Sequence, residues 1–120
     1  MNPQERRDLV RKSLKELLEK IKEGSSLVYL MLSEKNSKKY LQCTISKDQQ
    51  IVLIDIPEST LTDEEIKKIK AIVSEITGEE ALVGLQIQTP IDEAIDTIDR
   101  IFIEGFGFNE DYDLEASILE

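Results

Sequence analysis

The sequence contains no histidine and no tryptophan, and it has only one cysteine, Cys43, among its 120 residues. Without histidine, the chain cannot build the serine–histidine or cysteine–histidine pairs of many nucleophilic enzymes, nor ligate a metal through imidazole. A single cysteine cannot form an internal disulfide, which favours a cytoplasmic protein. Cys43 lies within an apolar strand pattern with no neighbour that would lower its pKa, so we interpret it as a buried structural thiol.

Glycine, proline and long apolar runs are also scarce. Five glycines and three prolines are too few for wholesale disorder. No apolar run reaches the roughly 18 residues that cross a bilayer, and the start of the chain lacks the apolar core of a signal peptide. We therefore expect one domain over residues 1–120 with no membrane contact, in which the helix of residues 1–24 could be peripheral.

The charge is unevenly spread along the chain. Residues 1–70 contain 14 Lys/Arg and 12 Asp/Glu, a net charge of +2, whereas residues 71–120 contain Arg100 alone against 13 acidic residues, a net charge of −12. The halves sum to the −10 of the whole chain. Nucleic-acid binding depends on clustered lysine and arginine, so we do not expect it. The acidic half can either steer a basic partner or simply keep the protein soluble.

Two helices enclose a run of strands in the first two thirds of the sequence. The first is predicted to begin at the cap Asn2 and to end at Gly24, and its apolar residues are spaced by four, three and four. That spacing fits packing on the helix's own domain, and it also fits pairing between subunits. Thr62 and Glu65 form a capping box that predicts the start of the second helix, which ends at Gly78.

Period-two alternation predicts five strands. Residues 27–33, 39–46 and 51–56 are joined by short polar links, as in an antiparallel meander, and residues 81–88 and 111–119 form the last two strands. A helix before each of these two indicates two right-handed crossovers. The predicted fold class is α+β, in the order α-β-β-β-α-β-α-β, with a mixed five-stranded sheet and helices mainly on one face. The opposite face would expose apolar surface that either the first helix or another chain has to cover.

The third helix, residues 89–106, is the stretch around which the chain is organised. Thr89 is predicted as its cap, Pro90 as its first residue, and Gly105 as the left-handed residue that ends it. Its polar face carries three aspartates at i, i+4 and i+7, and helical projection adds an isoleucine to that stripe. A second acidic segment surrounds a tyrosine before the last strand. The candidate partner-binding residues are Asp92, Asp96, Asp99, Ile103, Asp111, Tyr112 and Asp113.

No motif identifies a substrate or a reaction, and we predict no catalytic residue, metal or cofactor. The favoured hypothesis is a non-enzymatic protein-interaction module of adaptor, chaperone-like or inhibitor/immunity type, whose acidic C-terminal half binds a basic partner. Self-association is another way to cover the spare sheet face. The alternative is a carboxylate-based, metal-dependent enzyme that uses Asp55, which interrupts an apolar strand near its carboxyl end. No stretch resembles a known family closely enough to assign residue roles.

Overall fold

The computed structural model describes residues 1–24, 27–37, 39–46, 48, 50–77 and 85–120. The predicted order α-β-β-β-α-β-α-β is confirmed. The predicted end of the second helix at Gly78 and the first half of the fourth strand lie outside the described residues. The elements are α1 (Pro3–Lys22), β1 (Tyr29–Glu34), β2 (Tyr40–Ile45), β3 (Ile51–Ile56), a 3-10 turn (Glu58–Thr60), α2 (Asp63–Thr77), β4 (Leu85–Pro90), α3 (Ile91–Arg100), a π-helical turn (Ile101–Gly105) and β5 (Leu114–Leu119).

The five strands form one sheet in the order β4-β3-β2-β1-β5. The predicted meander of the first three strands is confirmed, but every neighbouring pair is antiparallel, so the sheet is not mixed. The reason is that β4 begins at Leu85, opposite Ile56 at the end of β3, so the chain returns to the end of the sheet that it left. The predicted crossover through α2 is therefore wrong. Helix α3 does carry the chain across the sheet, from the edge strand β4 to the opposite edge strand β5.

One face of the sheet holds the hydrophobic core. Alternate strand residues on it are buried, and all three helices pack against it. Val10, Leu14 and Leu17 of α1 belong to the same core cluster as Ile98 and Phe102. The first helix is therefore part of the core rather than peripheral, and its apolar stripe is used within the chain.

No helix among the described residues covers the opposite face of the sheet. The pairing register places the side chain of every second residue of each strand on this face. We call this set the open face. It consists of Tyr29, Met31, Ser33, Tyr40, Gln42, Thr44, Ile51, Leu53, Asp55, Gln86, Gln88, Pro90, Glu115, Ser117 and Leu119.

The predicted signals at the ends of α1 and at the start of α2 are confirmed. The Glu5 backbone N–H donates to the Asn2 side chain at 2.8 Å, and Gly24 takes a φ of +103° just past the helix. At the start of α2, the Thr62 N–H donates to the Glu65 carboxylate at 2.8 Å and the Glu65 N–H to the Thr62 hydroxyl at 3.2 Å. Each signal involves residues at most a few positions apart, so it can be read from the sequence.

The predicted start of α3 is wrong by one residue, because the cap position falls on Pro90 rather than Thr89. Thr89 is not a cap but the penultimate residue of β4, where it pairs with Val52 and is only 3% exposed. The helix begins at Ile91 after Pro90, and no side chain caps it. Strand pairing thus holds the Thr89 side chain in the sheet, where it cannot turn back to the helix N–H groups.

The predicted end of α3 is also different. Gly105 lies inside the π-helical turn, and the residue with the left-handed backbone is Gly107, at φ +81°. The Phe106 N–H donates to the Ile101 carbonyl at 2.9 Å, five residues back. A Cβ at position 105 would lie 2.8 Å from Cγ1 of the buried Ile69 in α2. Glycine is needed at this position for close contact between elements, not for its backbone angles.

Gly105→Ala should lower the free energy of unfolding by about 1–3 kcal/mol, since it forces overpacking against Ile69. In an Ile69→Ala background the same substitution should cost less, which a double-mutant cycle by urea unfolding would measure. Gly107→Ala is the control, because a Cβ at position 107 would have no atom within 4 Å, so the cost of that substitution is backbone strain. Equal costs of Gly105→Ala in both backgrounds would contradict the packing explanation.

An ion pair joins the sheet to the start of α2. Lys39 Nζ lies 2.7 Å from Glu65 Oε1 and donates to the Thr60 carbonyl at 2.5 Å. Burial alone would raise the pKa of Glu65, but the Lys39 ammonium and the Thr62 donors outweigh it and lower that pKa below its ordinary value. The carboxyl group therefore stabilises the fold above its unfolded pKa of about 4.3, and this contribution is lost as the pH falls through the lower folded value.

Glu65→Gln should therefore destabilise the protein at neutral pH and do so less as the pH falls from about 5 to 3. Urea unfolding of both proteins across this range measures the difference. Glu64→Gln is the matched control, because the Glu64 carboxylate is exposed and 3.8 Å from Lys68. A difference between wild type and Glu65→Gln that stays constant with pH would rule out the lowered pKa.

Candidate functional site

The acidic residues of the late half do not form one free acidic surface. Arg6 Nε lies 3.2 Å from Asp99 Oδ1, and Arg7 pairs with Asp96. The amino group of Met1 lies 2.6 Å from Asp113 Oδ1 and lowers the pKa of that carboxyl group. Three of the predicted partner-binding residues are thus paired with the first seven residues of the chain. The charge separation along the sequence is partly neutralised by folding.

The other two acidic candidates lie far apart. Asp92 follows the end of β4, and Asp111 precedes the start of β5. The pairing register puts these two strand ends at opposite ends of the sheet, because Pro90 faces the start of β3 and Leu114 faces the end of β1. Neither carboxylate has an ion-pair partner in the described part of the chain. The seven candidate residues are therefore not brought together into one site.

The two apolar candidates pack inward. Ile103 is half-buried against the core cluster rather than exposed on the acidic stripe, because the wide π-helical turn shifts the positions that follow Arg100. Tyr112 is buried and stacks on Phe102, with 5.2 Å between ring centroids. Its hydroxyl donates to Asp99 at 3.1 Å. Burial and the Asp99 charge raise the pKa of Tyr112.

Arg6 is the residue at the centre of these contacts, and the sequence analysis does not predict its role. It is only 1% exposed, and its guanidinium carbon lies 4.0 Å from the centroid of the Tyr112 ring. Besides Asp99, it donates to the backbone carbonyls of Met1 at 3.3 Å, Glu110, and Tyr112 at 3.4 Å. The available signal was its position one turn before Val10, on the buried stripe of α1.

Arg6→Met should cost about 3–5 kcal/mol of unfolding free energy, because it leaves a partly buried Asp99 and several carbonyls without their donor. The matched control is Arg7→Met, which removes an exposed pair and should cost less than about 1 kcal/mol. Thermal and urea unfolding measure both.

A second substitution tests the origin of this cost. Adding Asp99→Asn to Arg6→Met removes the unpaired carboxylate, so the double variant should lose less than the sum of the single losses. Strict additivity, or equal costs for Arg6→Met and Arg7→Met, would contradict a buried network.

Asp55 is the residue on which the metal-dependent alternative rests. In the described ranges, no group of three or more cysteine or acidic residues is placed to hold a metal ion. Asp55 lies on the open face, opposite Gln42 on one neighbouring strand and Gln86 on the other. Cys43 is fully buried on the other face, and its burial raises the pKa of the thiol to about 12.

The open face mixes apolar and polar side chains in register. One row across the sheet pairs Leu119 with Tyr29, and a neighbouring row pairs Met31 with Gln42 and Gln42 with Asp55. Its only charged residues are Asp55 and Glu115, both acidic, and none of its positions carries lysine or arginine. Leu27, two residues before β1, is 83% exposed.

Comparison of the chain with models of known families, with curated proteins and with solved structures gave no significant match. None of the helices that the structure describes combines the length and the apolar composition of a membrane span.

Proposed function

We propose that the chain is a non-enzymatic protein-interaction module whose open face binds a basic segment of a partner protein. The observation that carries the proposal is the open face itself: no described helix covers it, and its only charges are the carboxylates of Asp55 and Glu115. An antiparallel sheet can leave one face in water. The tyrosine, methionine, leucine and isoleucine side chains on this face favour a protein contact instead.

Charge decides which kind of partner fits this face. If two copies packed open face to open face, four carboxylates would enter one interface, with no cation from either face to pair them. Burying an unpaired charge is costly, so that arrangement is unfavourable. A segment that carries lysine or arginine between apolar residues would form ion pairs with Asp55 and Glu115. Its apolar residues would cover the apolar side chains of the open face. The partner is therefore basic and different from this chain.

The rest of the protein's charge supports the same partner. A net charge of −10 attracts a cationic protein over a distance and speeds the encounter. Asp92 and Asp111, which have no ion-pair partner in the described ranges, contribute to this field from outside the open face. The proposed class remains an adaptor, a chaperone-like subunit or an inhibitor/immunity-type protein. Its location is the cytoplasm, where the buried thiol of Cys43 stays reduced, and its partner is neither a nucleic acid nor a membrane.

A ten-residue peptide that alternates valine and lysine is a suitable probe. In NMR spectra of the labelled protein, it should shift the signals of open-face residues such as Met31 and Leu53. Asp55→Lys should weaken binding about tenfold, since it replaces attraction by repulsion at the centre of the face. Raising the salt concentration from about 0.05 to about 0.5 M should weaken binding of the wild type as well.

The matched control is Asp92→Lys, which makes the same charge change on the helical side and should alter binding much less than Asp55→Lys. A peptide that alternates valine and glutamate should not bind. If the shifts appear on α1 and α3 instead, or if Asp92→Lys has the larger effect, the acidic stripe of α3 is the binding surface and the open face is not.

A further inference from the structure

The two helices α1 and α3 are bridged at one end and separated at the other. They run antiparallel, and the Arg6–Asp99 and Arg7–Asp96 ion pairs connect them near the start of α1. One turn further along, the next pair in this ladder would be Arg11 with Asp92. Arg11 instead pairs with Asp8 on its own helix at 2.9 Å. A groove with a volume of about 410 Å³ lies between α1 and α3 at this end.

This groove has an apolar floor and rims of opposite charge. Leu14 and Leu18 from α1 and Ile91 and Ile95 from α3 line it, and three of these four side chains remain partly exposed. Arg11 and Lys15 form the rim on α1, and Asp92 forms the rim on α3. Within the described ranges, Lys15 and Asp92 have no ion-pair partner. The groove therefore leaves one cation and one carboxylate uncompensated on facing walls.

We infer that this groove is the interface of a homodimer with two-fold symmetry. If the symmetry axis runs along the helices above the groove, α1 of each copy lies over α3 of the other. Lys15 then faces Asp92 of the partner subunit, and Asp92 faces Lys15 of the partner subunit. A two-fold interface makes every contact twice, so one free cation and one free carboxylate on opposite rims satisfy each other.

The apolar floor fits the same arrangement. Two antiparallel helix pairs that face each other form a four-helix layer, and its core is filled by the inward residues of all four helices. Leu18, Ile91 and Ile95 of both copies would provide that core. A basic partner of the kind proposed for the open face would be repelled by Arg11 and would leave Lys15 unpaired, so a second copy is the better occupant by charge.

The helix lengths limit the strength of this dimer. At 1.5 Å per residue, the ten residues of α3 span about 15 Å, and a helix is about 10 Å across. Each copy thus contributes a few hundred Å² of surface, which is less than the roughly 800 Å² per partner of a standard stable interface and is typical of weak, transient ones. We expect a weak dimer that forms only at high protein concentration. It uses the helical side of the domain and leaves both open faces free, so it does not depend on the proposed function.

Sedimentation velocity from about 5 to about 500 µM should show a monomer that becomes a dimer with rising concentration. Lys15→Asp and Asp92→Lys should each keep the chain monomeric over most of this range, because each homodimer would contain two like-charged contacts. An equimolar mixture of these two variants should form dimers again. In the mixed dimer, both contacts join opposite charges, which no effect within a single chain can reproduce.

Two controls separate this interface from others. Lys70→Asp makes the same charge change on the exposed side of α2 and should leave dimerisation unchanged. Leu53→Lys alters the open face and should also leave dimerisation unchanged. If this variant does not dimerise, the sheet is the interface instead. Circular dichroism confirms that each variant is folded. A wild type that is monomeric at about 500 µM, or folded variants whose mixture stays monomeric, would overturn the inference.

Discussion

The buried guanidinium of Arg6 is the contact on which the arrangement of the late half depends. It binds Asp99 on α3 and the carbonyls of Glu110 and Tyr112 in the loop before β5. Its Nε and Nη1 donors find these acceptors, whereas the buried Nη2 has no hydrogen-bond partner among the described residues. Because burying an unpaired charge is costly, these contacts hold α1, α3 and this loop in one geometry. That geometry places β5 beside β1, at the edge of the sheet opposite β4. A single cation thereby links the start of the chain to its last strand.

The uncovered sheet face follows from this arrangement. Helix α3 has to cross the whole sheet to join the two edge strands, and Arg6 and Arg7 fasten α1 alongside it. Helix α2 packs against β4 and the π-helical turn on the same side. The Arg6 network therefore holds α1 away from the other face, where it could have shielded the apolar strand residues. The connection that completes the core on one face leaves the opposite face without a covering helix in the described part of the chain.

The sequence predicted what depends on neighbouring residues and missed what depends on distant ones. Asn2 and the Thr62–Glu65 box cap their helices as expected, and period-two alternation located the strands, because these signals act over a few positions. The prediction of Thr89 as a helix cap is wrong because pairing with Val52 keeps this residue in the sheet. Ile103 was placed on the wrong face because a π-helical turn cannot be read from helical projection. The Arg6–Asp99 pair joins residues 93 positions apart, and no local pattern announces it.

The distribution of charge along the sequence differs from its distribution over the folded surface. Along the sequence, the first 70 residues are basic overall and the last 50 are strongly acidic. In the structure, the arginines of α1 lie against the acidic helix α3, so this difference is partly cancelled on the helical side. The asymmetry that survives runs across the sheet. Although the first 70 residues contain 14 lysines and arginines, none occupies the open face, which keeps only carboxylates. This distribution is the basis for proposing a second copy at the helical side, which has both signs on facing rims, and a cationic partner at the open face.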